Sequence, residues 1–370
     1  MDSLPQETID EIINNLPRSS LHSSSLVAKP WRKTSQKRLL RVIRFPKEAK
    51  VKSWYKYTRN DPDGVASYVE VAKFRRITEW SDPKLFIRVL KSFTSLTKLL
   101  TLETEIPDEI VELLSLGEFG RKITVLNLRI PRCSISTVIS MSLSLPNLQS
   151  LSVDYYRNTS RETPSTHPIL PRREPLNLLF LSGNVDEVVE ALANSQFTSR
   201  RLFFDFRIQN IQKILIPSSV IIQELMLIGN TRLLIAEAAM MTTLFTDDPD
   251  RQSSHRIDLP PLPALTCLRI FIFPLCPSPQ LIDVLSSISS VPALASIFIE
   301  CKYWSCPEPG SSNTWADLDG WLALMAKDTT VEGGLVLTLM GWPRGEQVDA
   351  FFPKFREVGE IKTDSKKFDW

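Results

Sequence analysis

The side chains able to do chemistry are few and far apart. His22, His167 and His255 are the only histidines, each in a polar setting rich in Ser, Pro or Arg. A Ser, Cys or Thr nucleophile needs a base within hydrogen-bond reach, and three scattered histidines supply no Ser/His/Asp or Cys/His arrangement. The five cysteines, Cys133, Cys267, Cys276, Cys301 and Cys306, contain no CxxC pair. Cys301 and Cys306 are separated by four intervening residues and lack the companions that tetrahedral zinc requires. An odd number of thiols without framework spacing reads as reduced cysteines of the cytosol or nucleus. Asp247 and Asp248 form a carboxylate pair in a polar segment, with nothing apolar nearby to raise a pKa. There is no P-loop and no Gly-x-Gly-x-x-Gly in a chain with 12 glycines. The expectation is a protein that is not an enzyme, takes no metal or cofactor, and acts by binding.

The elements that would position a binding surface come from an ordinary globular composition: 370 residues, 43% hydrophobic and 23% charged, with a formal net charge of +2. That length leaves room for two or three domains, or one domain and a repeat array. The first residues carry Asp2, Glu7, Asp10 and Glu11 and no long apolar core, so no signal peptide is expected. No apolar run approaches the roughly 18 residues of a membrane span. A soluble protein of the cytoplasm, the nucleus or both is expected.

Residues 4–32, LPQETIDEIINNLPRSSLHSSSLVAKPWR, concentrate apolar surface in too short a stretch to make a core alone. Ile9, Ile12, Ile13 and Leu16 follow i, i+3, i+4, i+7 spacing on one helical face. Pro5 suits a first turn, and Glu7, Asp10 and Glu11 put negative charge at the positive helix end. Pro17 stops the helix, and Leu21 anchors a short second turn. Leu26, Val27 and Trp31 recur at helical spacing in a third segment running toward Leu39, where Pro30 either kinks the helix or sets its start.

These residues resemble an F-box, especially those of fungal F-box proteins. The resemblance covers about residues 3–45 and rests on Leu4-Pro5-x-Glu7, the Ile-rich helix, Leu16-Pro17, Leu21 and Ser25-Leu26-Val27…Trp31-Arg32. It implies a trihelical module that docks its apolar edge on the Skp adaptor of a cullin–RING ubiquitin ligase. By the same resemblance, Leu4 and Pro5 begin the adaptor contact. Ile9, Ile12, Ile13 and Leu16 divide between core and groove, and Leu26, Val27 and Trp31 complete it. Two positions depart from the family pattern: Ala28 stands where a Cys commonly follows Leu-Val, and Pro30 precedes the Trp. The competing reading is a helical cap on the domain that follows.

Residues 29–59 hold twelve Lys/Arg and one acidic residue, Glu48, with Trp54, Tyr55 and Tyr57 near the end. Such a stretch suits either a nucleic-acid groove or a solvated helix face with a connecting segment. Without a nucleic-acid fold motif the second is preferred, and an acidic partner also fits.

Beyond it a strand pattern, Φ-x-x-Φ-x-Φ, keeps returning, with central residues Leu126, Leu151, Leu179, Leu225, Leu268 and Ile297 and weaker copies at Val71, Leu99, Leu202 and Leu337. The spacings are 28, 27, 25, 28, 23, 23, 43, 29 and 40 residues. Most fall in the leucine-rich-repeat range. LNLLFLSGN (Leu176–Asn184) and IQELMLIGN (Ile222–Asn230) match the leucine-rich-repeat pattern, whose Asn satisfies backbone groups where the chain leaves the strand. Between strands lie apolar-striped segments, some opened by Asp82-Pro83 and Ser278-Pro279. Polar insertions are read at 157–175, 247–263 and 302–314, and the Trp-rich segment from Trp315 as an end cap. The expected fold is α/β: an all-α F-box over 1–45, a basic linker over 46–64, and an irregular α/β leucine-rich-repeat solenoid over 65–370.

In such repeats the residue after the central one faces the concave side, which lines up Phe180, Phe203, Met226, Arg269 and Phe298, with Phe271 two residues beyond Arg269. Asp205, Arg269 and Glu300 would edge this apolar strip, a candidate protein-binding surface. The function implied is a substrate receptor of an SCF-type ligase, with a Skp-type adaptor, a cullin and a protein target as partners and no membrane or nucleic acid. The alternatives are a repeat scaffold that binds protein or RNA outside any ligase, and a small-molecule-dependent receptor.

Overall fold

The computed structural model describes residues 4–60, 64–115, 117–155, 174–205, 208, 210–228, 259–272, 279–288, 290–301, 313–340 and 347–364. The chain divides into two units, Met1–Pro168 and Ile169–Trp370.

The first unit opens with helices α1 (Gln6–Asn15), α2 (Leu21–Ser24) and α3 (Lys29–Leu40). Strands β1 (Val42–Phe45), β2 (Val71–Arg75), β3 (Lys98–Leu102), β4 (Val125–Arg129) and β5 (Ser150–Tyr155) follow, with α4 (Glu48–Thr58), α5 (Pro83–Ser92), α6 (Glu109–Ser115), α7 (Gly117–Lys122) and α8 (Ile135–Leu143) between them. The strands are parallel and lie in chain order. Ile43, Ala72, Leu99, Leu126 and Leu151 are paired in register across them. This corrects one position of the sequence reading: the centre of the weak copy on β2 is Ala72, not Val71. Alanine is a poor hydrophobic signal, and the adjacent Val71 mimics the pattern one step off.

Buried and open positions alternate along the strands, as the period of two demands. Phe45 and Phe74 on the buried row pack against Trp54 of α4 and Phe86 of α5, with ring centroids 6.3 and 4.8 Å apart. The helices therefore cover one face of the sheet. Asp82 caps α5 as its side chain accepts from the Lys84 N–H at 3.1 Å, with Pro83 in the first turn as expected. The stretch at 46–64, expected as a linker, holds helix α4.

A backbone device recurs at the strand exits. Arg76, Glu103 and Ile130 each follow a strand with φ of 54°, 49° and 50°, and Gly183 takes the equivalent place at 81°. Left-handed backbone is unfavourable for a β-branched residue such as Ile130. Its neighbour enforces it: the N–H of Arg76 donates to Leu102 O, Glu103 to Arg129 O and Ile130 to Asp154 O, at 2.8, 2.9 and 2.6 Å.

The second unit repeats the scheme with β6 (Leu178–Gly183), β7 (Arg201–Asp205), β8 (Glu224–Ile228), β9 (Cys267–Ile272), β10 (Ser296–Cys301), β11 (Val336–Met340) and β12 (Glu360–Asp364). Its helices are α9 (Asp186–Asn194), α10 (Gln212–Ser218), α11 (Pro279–Ser286), α12 (Asn313–Asp328), α13 (Gln347–Phe351) and α14 (Pro353–Arg356). Leu179, Leu202, Leu225, Leu268, Ile297, Leu337 and Ile361 form one paired row, and all but Ile361 are fully buried. Each such leucine contributes about 1.5–3 kcal/mol relative to exposure.

The C-terminal segment carries buried Trp315 and Trp321 on α12, and Trp315 meets Phe351 and Phe352 at 5.5 and 5.8 Å. The Asp319 carboxylate accepts the N–H groups of Lys354 and Phe355 at 3.0 and 2.9 Å. Strands β1 and β12 go beyond the expected repeat. VIRF hides in a basic stretch, and EIKTD offers only Ile361 as an apolar anchor. Trp342, Trp370, Asn230, Ser278, an apolar-striped segment at 233–245, and most of the three polar insertions lie outside the described residues. The architecture is a helical N-terminus followed by parallel strands alternating with helices. Among the described residues, no helix is long and apolar enough to cross a membrane.

Candidate interaction surfaces

The N-terminal helices bury little. Ile9, Ile13 and Leu21 form a core, and Leu16, Trp31 and Leu39 pack against it while staying partly exposed. Polar contacts do much of the holding. Asp10 accepts from the Thr34 hydroxyl and the Gln6 amide, both at 2.7 Å, tying α1 to α3. The same bonds hold its carboxyl below the ordinary range, Thr34 first and Gln6 second. Ser24 and Ser35 share a buried hydroxyl bond of 3.0 Å, Arg18 donates to the carbonyls of Leu39 and Val42, and Arg38 to that of Ile13.

Around this small core stand side chains that the described residues leave exposed. Leu4 is 49% exposed, Ile12 37%, Leu26 70% and Val27 68%. The four-residue stripe on α1 thus splits, Ile9 and Ile13 inward, Leu16 at the margin and Ile12 outward. Pro5 is exposed and is the N-cap of α1, one residue ahead of the first turn, its carbonyl accepting from Ile9 N–H at 3.1 Å.

Leu26 and Val27 are not on the third helix, contrary to their reading by spacing. They sit in a turn after α2, where their N–H groups donate to Ser23 and Ser24 carbonyls at 3.0 and 3.2 Å. Ala28 is extended and α3 starts at Lys29, with Pro30 inside its first turn. Pro30 sets the helix start and does not kink it, because a first-turn N–H has no partner to lose.

The expected strip of the second unit lies on one row. Phe180, Phe203, Met226, Arg269 and Phe298 occupy paired positions on β6 to β10. Its centre is closed where the sequence suggested an open surface. Met226 and Phe271 are 2% and 1% exposed, and Phe180 and Phe203 pack on them. Arg269 lies over the Phe298 ring at 4.5 Å and Arg201 over Phe203 at 5.5 Å, while both arginines pair with Glu224. Asp205 and Glu300, expected at the edge, are buried. Arg201 and Glu224 escaped the sequence reading, which followed only the residues after each centre; the residue before it faces the same side.

The chemistry-bearing residues stay apart. His22 is exposed on α2, Cys133 is buried with its carbonyl accepting from the Tyr155 hydroxyl at 3.0 Å, and Cys267 is a free thiol. Burial pushes the Cys267 thiol up, away from a reactive thiolate. His167, His255, Cys276, Cys306 and the Asp247-Asp248 pair lie outside the described residues.

The F-box domain model matches residues 1–42, the stretch that holds α1, α2, α3 and the exposed apolar side chains. No curated protein matches the chain. The chain therefore carries an F-box domain at its N-terminal helices, followed by a parallel strand–helix repeat.

Proposed function

We propose that this protein is a substrate-recognition subunit of an SCF-type, cullin–RING ubiquitin ligase. Its F-box docks on a Skp-type adaptor, and its repeats, of leucine-rich-repeat type, bind a protein target. The F-box match supports the ligase role at the family level. The observation that carries it is the set of uncovered side chains Leu4, Ile12, Leu26 and Val27 on a module with a three-residue core. Full burial of an aliphatic side chain is worth about 1.5–3 kcal/mol, so a partner that covers these four gains a stable interface. In this reading residues 1–45 dock, α4 lies in the connecting stretch, and residues 65–370 carry the target surface. Phe180, Phe203, Arg269 and Phe298 meet the target, with Met226 and Phe271 as support beneath. The protein does no chemistry; it raises the effective concentration of the target near the ubiquitin-charged enzyme.

The test is the L4A/I12A/L26A/V27A variant, all exposed positions, assayed by co-purification with adaptor and cullin. Interface anchors cost about 1 kcal/mol or more each on truncation, so binding falls on the order of a hundredfold or more. Unchanged co-purification defeats the ligase role and leaves a non-ligase scaffold.

A further inference from the structure

The face of β1–β3 turned away from the helices carries four cations in one patch. Arg44 and Lys73 are paired on adjacent strands, about 4.8 Å apart. Arg75 stands two residues beyond Lys73, on the same face, about 6.6–7 Å along the strand. Lys98 on β3 pairs with Val71 and so lies diagonal to Lys73. Lys50 joins Arg44 in lining a groove of about 330 Å³ bounded by Ile43, Phe45, Ser53, Trp54 and Tyr57.

Nearby acids are already engaged. Glu70 pairs with Arg41, Glu48 with Lys52 and Glu103 with Arg76. Among the described residues, no ion pair or hydrogen bond engages the side chains of Arg44, Lys73, Arg75 or Lys98. Burial and these three like charges hold the Lys73 ammonium below its ordinary value. An anion seated here relieves that repulsion.

The spacing selects the anion. The cations spread over three strands and do not converge on one point, which disfavours a single phosphate. An extended peptide repeats its side chains at about 6.6–7 Å on one face, the interval from Lys73 to Arg75. Val42, Val71 and Leu100, partly buried among the cations, offer apolar contact between them. RNA would need several free stacking rings, yet Trp54 packs on Phe45 and Phe93 and Tyr55 lies under Arg88, so of the aromatic residues of α4 only Tyr57 is exposed.

We propose that this face docks an extended, carboxylate-rich peptide segment of a partner protein, with acidic side chains at alternate positions set against Arg44, Lys73, Arg75 and Lys98. This extends the target-binding role proposed above and does not depend on adaptor docking.

The test titrates the full chain against four labelled probes by fluorescence anisotropy: an Ala-Glu repeat octapeptide, its Ala-Gln counterpart, an Ala peptide with one phosphoserine, and oligo-U RNA. The Ala-Glu peptide is expected to bind best and to weaken by roughly tenfold or more between about 0.05 and 0.5 M salt. R44E/K73E/R75E abolishes that binding, K73R keeps it, and K91E, at an exposed cation on α5, leaves it unchanged. Should the triple variant fail to fold by circular dichroism, R44Q/R75Q, at two exposed positions, replaces it. Equal binding of the Ala-Gln peptide, tighter binding of the phosphopeptide or RNA, or an unaffected charge variant overturns the proposal. Failure here is separable from failure of the ligase role. The charge variant keeps adaptor co-purification, and L4A/I12A/L26A/V27A keeps peptide binding.

Discussion

The open strand faces of the two units solve opposite problems on the same backbone. In the first, Arg44, Lys73, Arg75 and Lys98 stand together while neighbouring acids are taken by other cations. In the second, Glu224 lies between Arg201 and Arg269, each arginine covers a phenylalanine, and Met226 and Phe271 close beneath them. The buried rows hardly differ, running through Leu99, Leu126 and Leu151 in one unit and Leu179, Leu202 and Leu225 in the other. A parallel repeat fixes one residue in two along each strand for packing and leaves the alternate residue free. The first unit uses that freedom for charge left unpaired, the second for an aromatic strip whose charges are paired and whose centre is already packed.

If that contrast is sound, the two faces respond differently to truncation. Phe271→Ala in the closed strip is expected to cost about 3–5 kcal/mol of stability, the range for a buried aromatic, read by chemical denaturation. A loss near zero would mean that the strip is open and the contrast false.

Lys73→Gln is expected to go the other way, stabilising the chain within the roughly 0.5 kcal/mol typical of surface changes. The sign follows from linkage. Lys73 has a folded-state value below its ordinary 10.5, lowered first by burial and then by Arg44, Arg75 and Lys98. Its charged form therefore burdens the folded state at neutral pH, and the burden lifts as pH rises through the folded value toward 10.5. The gain from Lys73→Gln should accordingly vanish in alkali and shrink with added salt. A loss of stability at neutral pH would show Lys73 to be compensated.

The smallest effect is expected in the F-box. Asp10 is held below its ordinary 3.8 by Thr34 and Gln6, so its contribution is present above that value and lost as pH falls through the folded value. Asp10→Asn should be slightly less stable at neutral pH and converge with the parent in acid, which leaves a flatter acid limb in the melting profile. An unaltered limb would remove the α1–α3 tie from the account of that module.

How much of this was legible beforehand divides along the same line. The central leucines were readable because each needs a fully apolar, fully buried residue, and nine centres from Leu99 to Leu337 fall in the observed register. The cationic patch was hidden by a single slip. With Val71 taken as the centre, the next residue is the buried Ala72 and Lys73 drops from view, while β1 went unseen inside a run of basic residues. The closing of Met226 and Phe271 was beyond sequence, because strand alternation says which side a residue faces and not whether that side is covered. In the N-terminal helices the apolar anchors were visible by spacing. The turn that carries Leu26 and Val27 was not, since Pro30 fits both a kink within a longer helix and the start of α3, and only the second puts Leu26 and Val27 outside it.

The left-handed residues at the strand exits bear on how such a chain comes apart. Ile130 would not choose that twist; it is kept there by the carbonyl of Asp154 on the next strand. At Arg76, Glu103 and Ile130 the awkward corner of one repeat is thus held by the strand of the next, and it loses that hold once the next strand frays. Unravelling should travel from a frayed strand back to the repeat before it, one strand at a time.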